Sequence, residues 1–167
     1  MMIAISNSTP LIALSRINKL GLLREYFGEV YIPKEVYEEV VTRGGNLFGA
    51  EEVASAEWIK VENVKNRIAV ESLSIALDKG EAEAIVLARE KDGMLVIDDG
   101  DGRRIAESLG LKITGTVGIL LLASEDGKLD FKKAIDELMA VGFRLSEKEY
   151  KRILRHFSLQ KKPVLKK

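Results

Sequence analysis

The chain has 167 residues and balances 26 Lys+Arg against 26 Asp+Glu, so its formal net charge is zero; it has one His and no Cys. Apolar residues make up 46% and charged residues 31%, an ordinary globular composition that excludes disorder and collagen-like repeats. Disulfides, thiolate metal sites and a Cys nucleophile are excluded, and the lone His156 disfavours a His-rich zinc site or a Ser-His-Asp triad; any chemistry falls to carboxylates.

Ile3 to Ser6 is a short apolar run, predicted as a strand and closed by Asn7-Ser8-Thr9-Pro10. Leu11, Ile12, Leu14, Ile17, Leu20, Leu22 and Leu23 then recur at helical spacing. Pro10 sits where a first-turn proline is tolerated, and Ser8 or Thr9 can cap. Val30 to Ile32 predicts a second strand, and Pro33 opens a helix carrying Val36, Val40 and Val41 until Gly44-Gly45 stops it. Trp58 to Val61 alternates as a short edge strand. Ile68 to Leu77 is weakly helical and is broken by Asp78-Lys79-Gly80, whereas Glu81 to Glu90 is strongly helical. Met94 to Ile97 is an uninterrupted apolar run of the kind buried in parallel sheets. It ends in Asp98-Asp99-Gly100-Asp101-Gly102 and leads into a helix reaching Leu109. Lys112 to Thr114 predicts another strand, Thr116 begins a helix through Ala123, and two helices follow near Phe131–Val141 and Ser146–His156.

Strands alternating with helices predict an α/β fold: three layers, α/β/α, around a central, mostly parallel sheet. At this length we read a single domain over 1–159, burying about 70% of its unfolded-chain surface, with a basic tail over 160–167 that frays. From Glu147 to Lys167 eight Lys/Arg face two Glu, a net of +6, which leaves the preceding residues at −6. An acidic body with a basic tail suits a polyanion or self-association, or is simply a solvated lysine-rich helix. No run approaches the ~20 apolar residues that span a bilayer, and Met1 to Ile5 has no basic segment ahead of its apolar run. The expected setting is cytoplasmic, with no membrane partner.

Ligands of open parallel sheets bind beyond the carboxyl ends of the strands, where strand order reverses. Asn7-Ser8-Thr9 and the trio Asp98, Asp99 and Asp101 occupy such ends. Three carboxylates in four residues repel one another unless they are solvated, protonated or bound to a cation, and oxygen-only donors favour Mg²⁺ or Mn²⁺. Glu35 and Glu39 share a helix face, with Glu38 beside them, and Glu81 and Glu83 lie in a first turn; solvation and the helix dipole explain such acids equally well. An EF-hand is excluded because Arg103 and Leu109 stand where Gly and Glu are needed. Asp99-Gly100-Asp101-Gly102 fits the nucleophile motif of haloacid-dehalogenase phosphatases locally. It comes too late in the chain and lacks the downstream acidic pair, so a small phosphatase is the weakest reading. No P-loop or GxGxxG fingerprint follows a strand.

Four stretches in order resemble the PIN domain, a metal-dependent nuclease fold common among VapC-type toxins of prokaryotic toxin–antitoxin systems. They are Ser6-Asn7-Ser8-Thr9-Pro10-Leu11-Ile12, Pro33 with Glu39 six residues on, Gly80-Glu81-Ala82-Glu83-Ala84-Ile85, and Val96-Ile97-Asp98-Asp99-Gly100-Asp101-Gly102-Arg103-Arg104. The later Thr114-Gly115-Thr116-Val117-Gly118-Ile119-Leu120 also resembles one PIN subgroup. The resemblance covers about Met2 to Ala123. It implies Glu39, Glu81 and Asp99 as catalytic acids. Together with Asn7, Asp98 and Asp101 they would hold Mg²⁺ or Mn²⁺, and the metal would activate water against RNA phosphodiesters. Ser8 or Thr9 would support the first-strand ligand and face substrate. Arg103, Arg104, Thr116 and the basic tail would touch phosphate. An antitoxin-like protein and a homodimer are further implied partners. One departure stands out: position 7 is Asn, where most PIN nucleases have Asp. It favours the alternative of a catalytically impaired PIN domain that binds RNA or protein.

Overall fold

The computed structural model describes residues 2–45, 47–98 and 100–160. Asp99 and the tail beyond Gln160 fall outside the described residues, as does the expectation that the tail frays. The chain divides into two compact units between Thr116 and Val117.

The first unit is built on five strands, β1 (Ile3–Ser6), β2 (Glu29–Pro33), β3 (Ile59–Glu62), β4 (Met94–Val96) and β5 (Ile113–Thr114). All pairings among them are parallel, in the order β3-β2-β1-β4-β5, so the sheet is parallel throughout and β3 is an edge strand as the alternation at Trp58–Val61 predicts. The short apolar runs form strands because parallel strands are covered on both faces and tolerate no polar side. Successive residues point to opposite faces. Ile5, Leu95 and Ile97 thus join one core with Val70 of α5 (Arg67–Leu73), Ile85 and Leu87 of α6 (Lys79–Lys91) and Ala106 of α7 (Gly100–Ser108). Ala4, Val30, Ile32 and Val96 face the other way and are equally buried, as are Leu11 and Leu14 of α1 (Ser8–Arg16), Leu22 and Leu23 of α2 (Gly21–Tyr26) and Val36 of α3 (Lys34–Tyr37). Right-handed crossovers require this split, because the chain moves outward from β1 through β2 to β3 and then crosses to β4. The result is the three-layer α/β/α arrangement.

Four local expectations are corrected. The apolar repeat from Leu11 to Leu23 forms two helices: Asn18 adopts φ 59, a left-handed conformation that Asn tolerates and that ends a helical run. The helix after Pro33 changes character at Glu38, and Glu38–Thr42 forms a π-helical turn, closed by Arg43 N–H donating to Glu38 O at 2.7 Å. A short helix, α4 (Ala50–Ser55), has no counterpart in the apolar pattern. Asp78-Lys79-Gly80 does not break a helix but starts one: Asp78 caps α6, and Lys79 and Gly80 are its first residues.

The second unit carries α8 from Val117 onward (the helix spans Thr116–Glu125), α9 (Phe131–Ala140) and α10 (Glu147–Gln160). Asp130 caps α9 by accepting from Lys133 N–H at 2.9 Å. The Phe131 and Phe157 rings stack with centroids 4.6 Å apart, and Tyr150 O–H donates to Asp136 at 2.6 Å. No helix among the described residues is long and apolar enough to cross a membrane.

Candidate metal centre

β1 and β4 lie side by side at the centre of the sheet, the point from which the chain builds outward in both directions. Such a switch point leaves a crevice at the carboxyl ends of its strands. Here Ser6 pairs with Val96, and the next residue, Asn7, donates its backbone N–H to Val96 O at 3.0 Å. Asn7 is the residue ahead of α1 and is 4% exposed; its side chain makes no capping bond.

Glu39 reaches the same place from the π-helical turn. Ser8 O–H donates to Glu39 Oε1 at 2.5 Å, so the serine expected to support Asn7 holds the neighbouring carboxylate. That carboxylate lies against the backbone of Gly80: a β-carbon there would sit 2.7 Å from Glu39 Oε1. Gly80 thus permits the approach of α6 to Glu39. Burial pushes the Glu39 carboxyl above its ordinary range; the Ser8 hydrogen bond opposes the shift, Asp78 and Glu35 add to it, and Arg43 opposes it.

Glu81 follows Gly80 and is 7% exposed. A reciprocal cap fixes it. Glu81 N–H donates to Asp78 Oδ1 at 2.8 Å, and Asp78 N–H donates to Glu81 Oε1 at 3.3 Å. This pattern satisfies two helix-end donors at once and orients both carboxylates. Glu81 also lies against Gly102 of α7, where a β-carbon would stand 3.8 Å from its carboxylate. Asn7, Ser8, Glu39 and Glu81 are thereby drawn to the end of the central strands by β1, the π-helical turn and the head of α6.

The aspartates after β4 separate. Asp98 turns to Thr116, which donates its N–H to Oδ1 at 2.7 Å and its hydroxyl to Oδ2 at 2.5 Å. Burial pushes the Asp98 carboxyl up, and the two Thr116 bonds and Arg103 oppose this. Arg103 donates to Ile97 O at 3.0 Å, so it fastens the strand end. Thr116 is wholly buried. Asp101 and Arg104 are exposed on α7 and paired with each other, which sets Asp101 apart from the buried carboxylates. Thr9 is exposed in the first turn of α1. Asp99 lies outside the described residues.

Among the described residues no three His, Cys, Asp or Glu side chains converge closely enough to enclose a metal ion. Glu39 and Glu81 offer carboxylate oxygens and need further donors. A hard divalent cation of the Mg²⁺ or Mn²⁺ kind suits that chemistry. It also suits the electrostatics, since a half-buried carboxyl with a raised pKa beside a buried one is stabilised by positive charge.

Three contributors escaped the sequence reading. Gly80 and Gly115 each allow a backbone to come close to a carboxylate; nothing in a lone glycine marks this. Asp78 had a signal, because Asp78-Lys79-Gly80-Glu81 has capping-box spacing.

A family model described as PIN domain matches residues 3–159. No curated protein matches the chain. Among solved structures, a PilT N-terminus domain protein from the hyperthermophilic archaeon Sulfolobus solfataricus P2 is 18% identical, with 71% of this chain and 90% of that chain covered and a TM-score of 0.44. With the family model spanning nearly its whole length, the chain belongs to the PIN-domain family.

Proposed function

We propose that the chain is a Mg²⁺- or Mn²⁺-dependent endoribonuclease, the toxin-like component of a prokaryotic toxin–antitoxin pair. PIN domains are commonly metal-dependent nucleases. The observation that carries the reading here is the Glu39 carboxylate, held by Ser8 just beyond the end of β1 and lying against Gly80, the residue before Glu81. Asp99 would complete the donor set. A divalent cation held there would supply a water of lowered pKa and neutralise charge on the scissile phosphate.

The chain's own groups have separate tasks. Ser8 aims the Glu39 carboxylate, and Asp78 fixes Glu81 through the reciprocal cap. Asn7 offers an amide oxygen, a weaker ligand than a carboxylate because it brings no charge. The Asp98–Thr116 pair, with Arg103 on Ile97 O, holds the end of β4 from which Asp99 follows. The first turns of α1 and α7 begin at strand ends, where the helix dipole favours an anionic phosphate. Arg104 and the basic tail add phosphate contacts at the rim. An antitoxin-like protein partner, self-association and a cytoplasmic setting complete the proposal.

The test is cleavage of single-stranded and structured RNA by the purified chain, free of any inhibitor, with Mn²⁺ and with EDTA. Cleavage that needs Mn²⁺ and is lost in Glu81→Gln and Asp99→Asn supports the reading. Asn7 favours a second reading, a PIN domain that binds without cutting. No cleavage by the native chain, with activity gained by Asn7→Asp, would establish it.

A further inference from the structure

Where α3 and α6 meet, near the contact of Glu39 with Gly80, lies a cleft of about 410 Å³ lined largely by charged residues. Glu38 and Lys79 line it, each the immediate neighbour of a residue at the metal centre (Glu39 and Gly80), together with Lys34, Glu35, Arg67 and Glu83. Glu83 is 3% exposed and both its oxygens are engaged: one accepts from the backbone N–H of Glu35 at 3.0 Å, the other from Arg67 at 2.9 Å. Burying a carboxylate is costly unless it is bonded in this way. The consequence is a guanidinium held in a fixed direction at the cleft while the rest of its five N–H donors stay uncommitted to Glu83. Glu35 is taken up by Arg43 at 2.5 Å, outside the cleft lining, with Lys79 at 3.9 Å.

The cleft thus has an unusual demand. Lys34, Lys79 and the oriented Arg67 call for a ligand rich in acceptors, whereas Glu38 calls for a donor. A ribonucleotide within a strand meets both, with phosphate oxygens for the cations and a 2′-hydroxyl for the carboxylate; a deoxyribonucleotide lacks the second. We infer that this cleft is a ribonucleotide subsite, which holds the nucleotide flanking the cleaved phosphodiester and gives the enzyme its preference for RNA over DNA. The inference rests on the nuclease reading and adds the sugar chemistry of its substrate.

Fluorescence anisotropy tests it, with a labelled random-sequence single-stranded RNA pool and a DNA pool of the same length, in Ca²⁺ so that the strand stays intact. Cleavage of the RNA pool in Mn²⁺ is followed in parallel. Lys79→Ala and Lys34→Ala, both exposed, are expected to weaken RNA binding about 3- to 10-fold and to lower the log–log salt slope by about 1 each. Glu38→Leu, which removes the acceptor, is expected to bring RNA and DNA affinities together. Thermal unfolding confirms that these variants fold. If the native chain cleaves RNA while the lysine variants keep native affinity and salt slope, or Glu38→Leu keeps the RNA preference, the subsite is overturned and the nuclease reading survives. If the native chain neither binds nor cleaves RNA, both fall together.

Discussion

Asn7 is the residue on which most turns. It sits 4% exposed at the strand end, next in sequence to Ser8, which holds the Glu39 carboxylate. Its neutrality favours folding without metal and weakens metal binding for the same electrostatic reason. Asn7→Asp is therefore expected to lower the thermal midpoint in EDTA by about 2–8 °C, the scale of a 1–2 kcal/mol loss. It should gain more than the native chain from saturating Mn²⁺; an equal gain would mean that the residue is not a ligand. Glu39 carries the complementary prediction. Burial raises its native carboxyl pKa above the ordinary 4.5, so the folded state holds its proton more tightly than the unfolded state. Its contribution is fully present below pH 4.5 and is lost as pH rises through the raised native value. In EDTA, Glu39→Gln should remove that slope from a plot of urea midpoint against pH and leave the protein more stable than native at neutral pH. A slope unchanged by the substitution would assign it to another group.

At the scale of elements, the site depends on how closely helices approach the strand ends. The π-helical turn Glu38–Thr42 widens the helix by one residue per turn, and a β-carbon at Gly44 would collide with the carbonyl of Val40. This explains why Gly44 follows the turn, a position the sequence marks only as a helix stop. α6 comes near Glu39 because residue 80 has no side chain. The latch after β4 is tighter. A β-carbon at Gly115 would lie 2.6 Å from Asp98 Oδ1 and 3.1 Å from the Arg103 guanidinium, and Asp98 is held by both Thr116 donors. Gly115→Ala should destabilise by about 1–3 kcal/mol, the range for overpacking, read by urea unfolding. Gly80→Ala meets only the carboxylate end of the Glu39 side chain, which can shift at the expense of its Ser8 bond, and gains helix propensity, so its stability should stay within about 1 kcal/mol of native. Similar losses for the two variants would show that the latch is looser than its hydrogen bonds indicate. Strands and helix starts were legible because apolar runs, prolines and caps act locally. α4 was not, since Ala50 and Val53 are its only buried residues and six residues give no periodicity to read.

For the molecule as a whole, the zero net charge conceals an acidic body, and two of its carboxylates, Glu39 and Glu81, stand on either side of Gly80. Metal binding should then appear as stability. At about a hundredfold excess of Mn²⁺ over its dissociation constant, binding to the folded state alone contributes about 2.7 kcal/mol. That raises the thermal midpoint by about 5–10 °C for a chain of this size. Calorimetry with and without Mn²⁺ checks it, and Glu81→Gln should lose most of the increment. A Glu81→Gln midpoint that rises as much as the native one would move the metal elsewhere.

The sequence by itself determined the alternation of strand and helix, the parallel sheet, and the acids standing after strands and at helix heads, because each follows from local periodicity, capping and the burial of apolar runs. It could not sort those acids. Asp98 and Asp101 read alike in the motif Asp98-Asp99-Gly100-Asp101, yet one is latched to Thr116, 18 residues away, and the other is exposed with Arg104. Glu81 and Glu83 lie two apart in the same turn, yet one closes the cap with Asp78 and the other clamps Arg67. Only the tertiary structure decided these roles, since each depends on a partner brought close by strand order and crossover rather than by spacing along the chain.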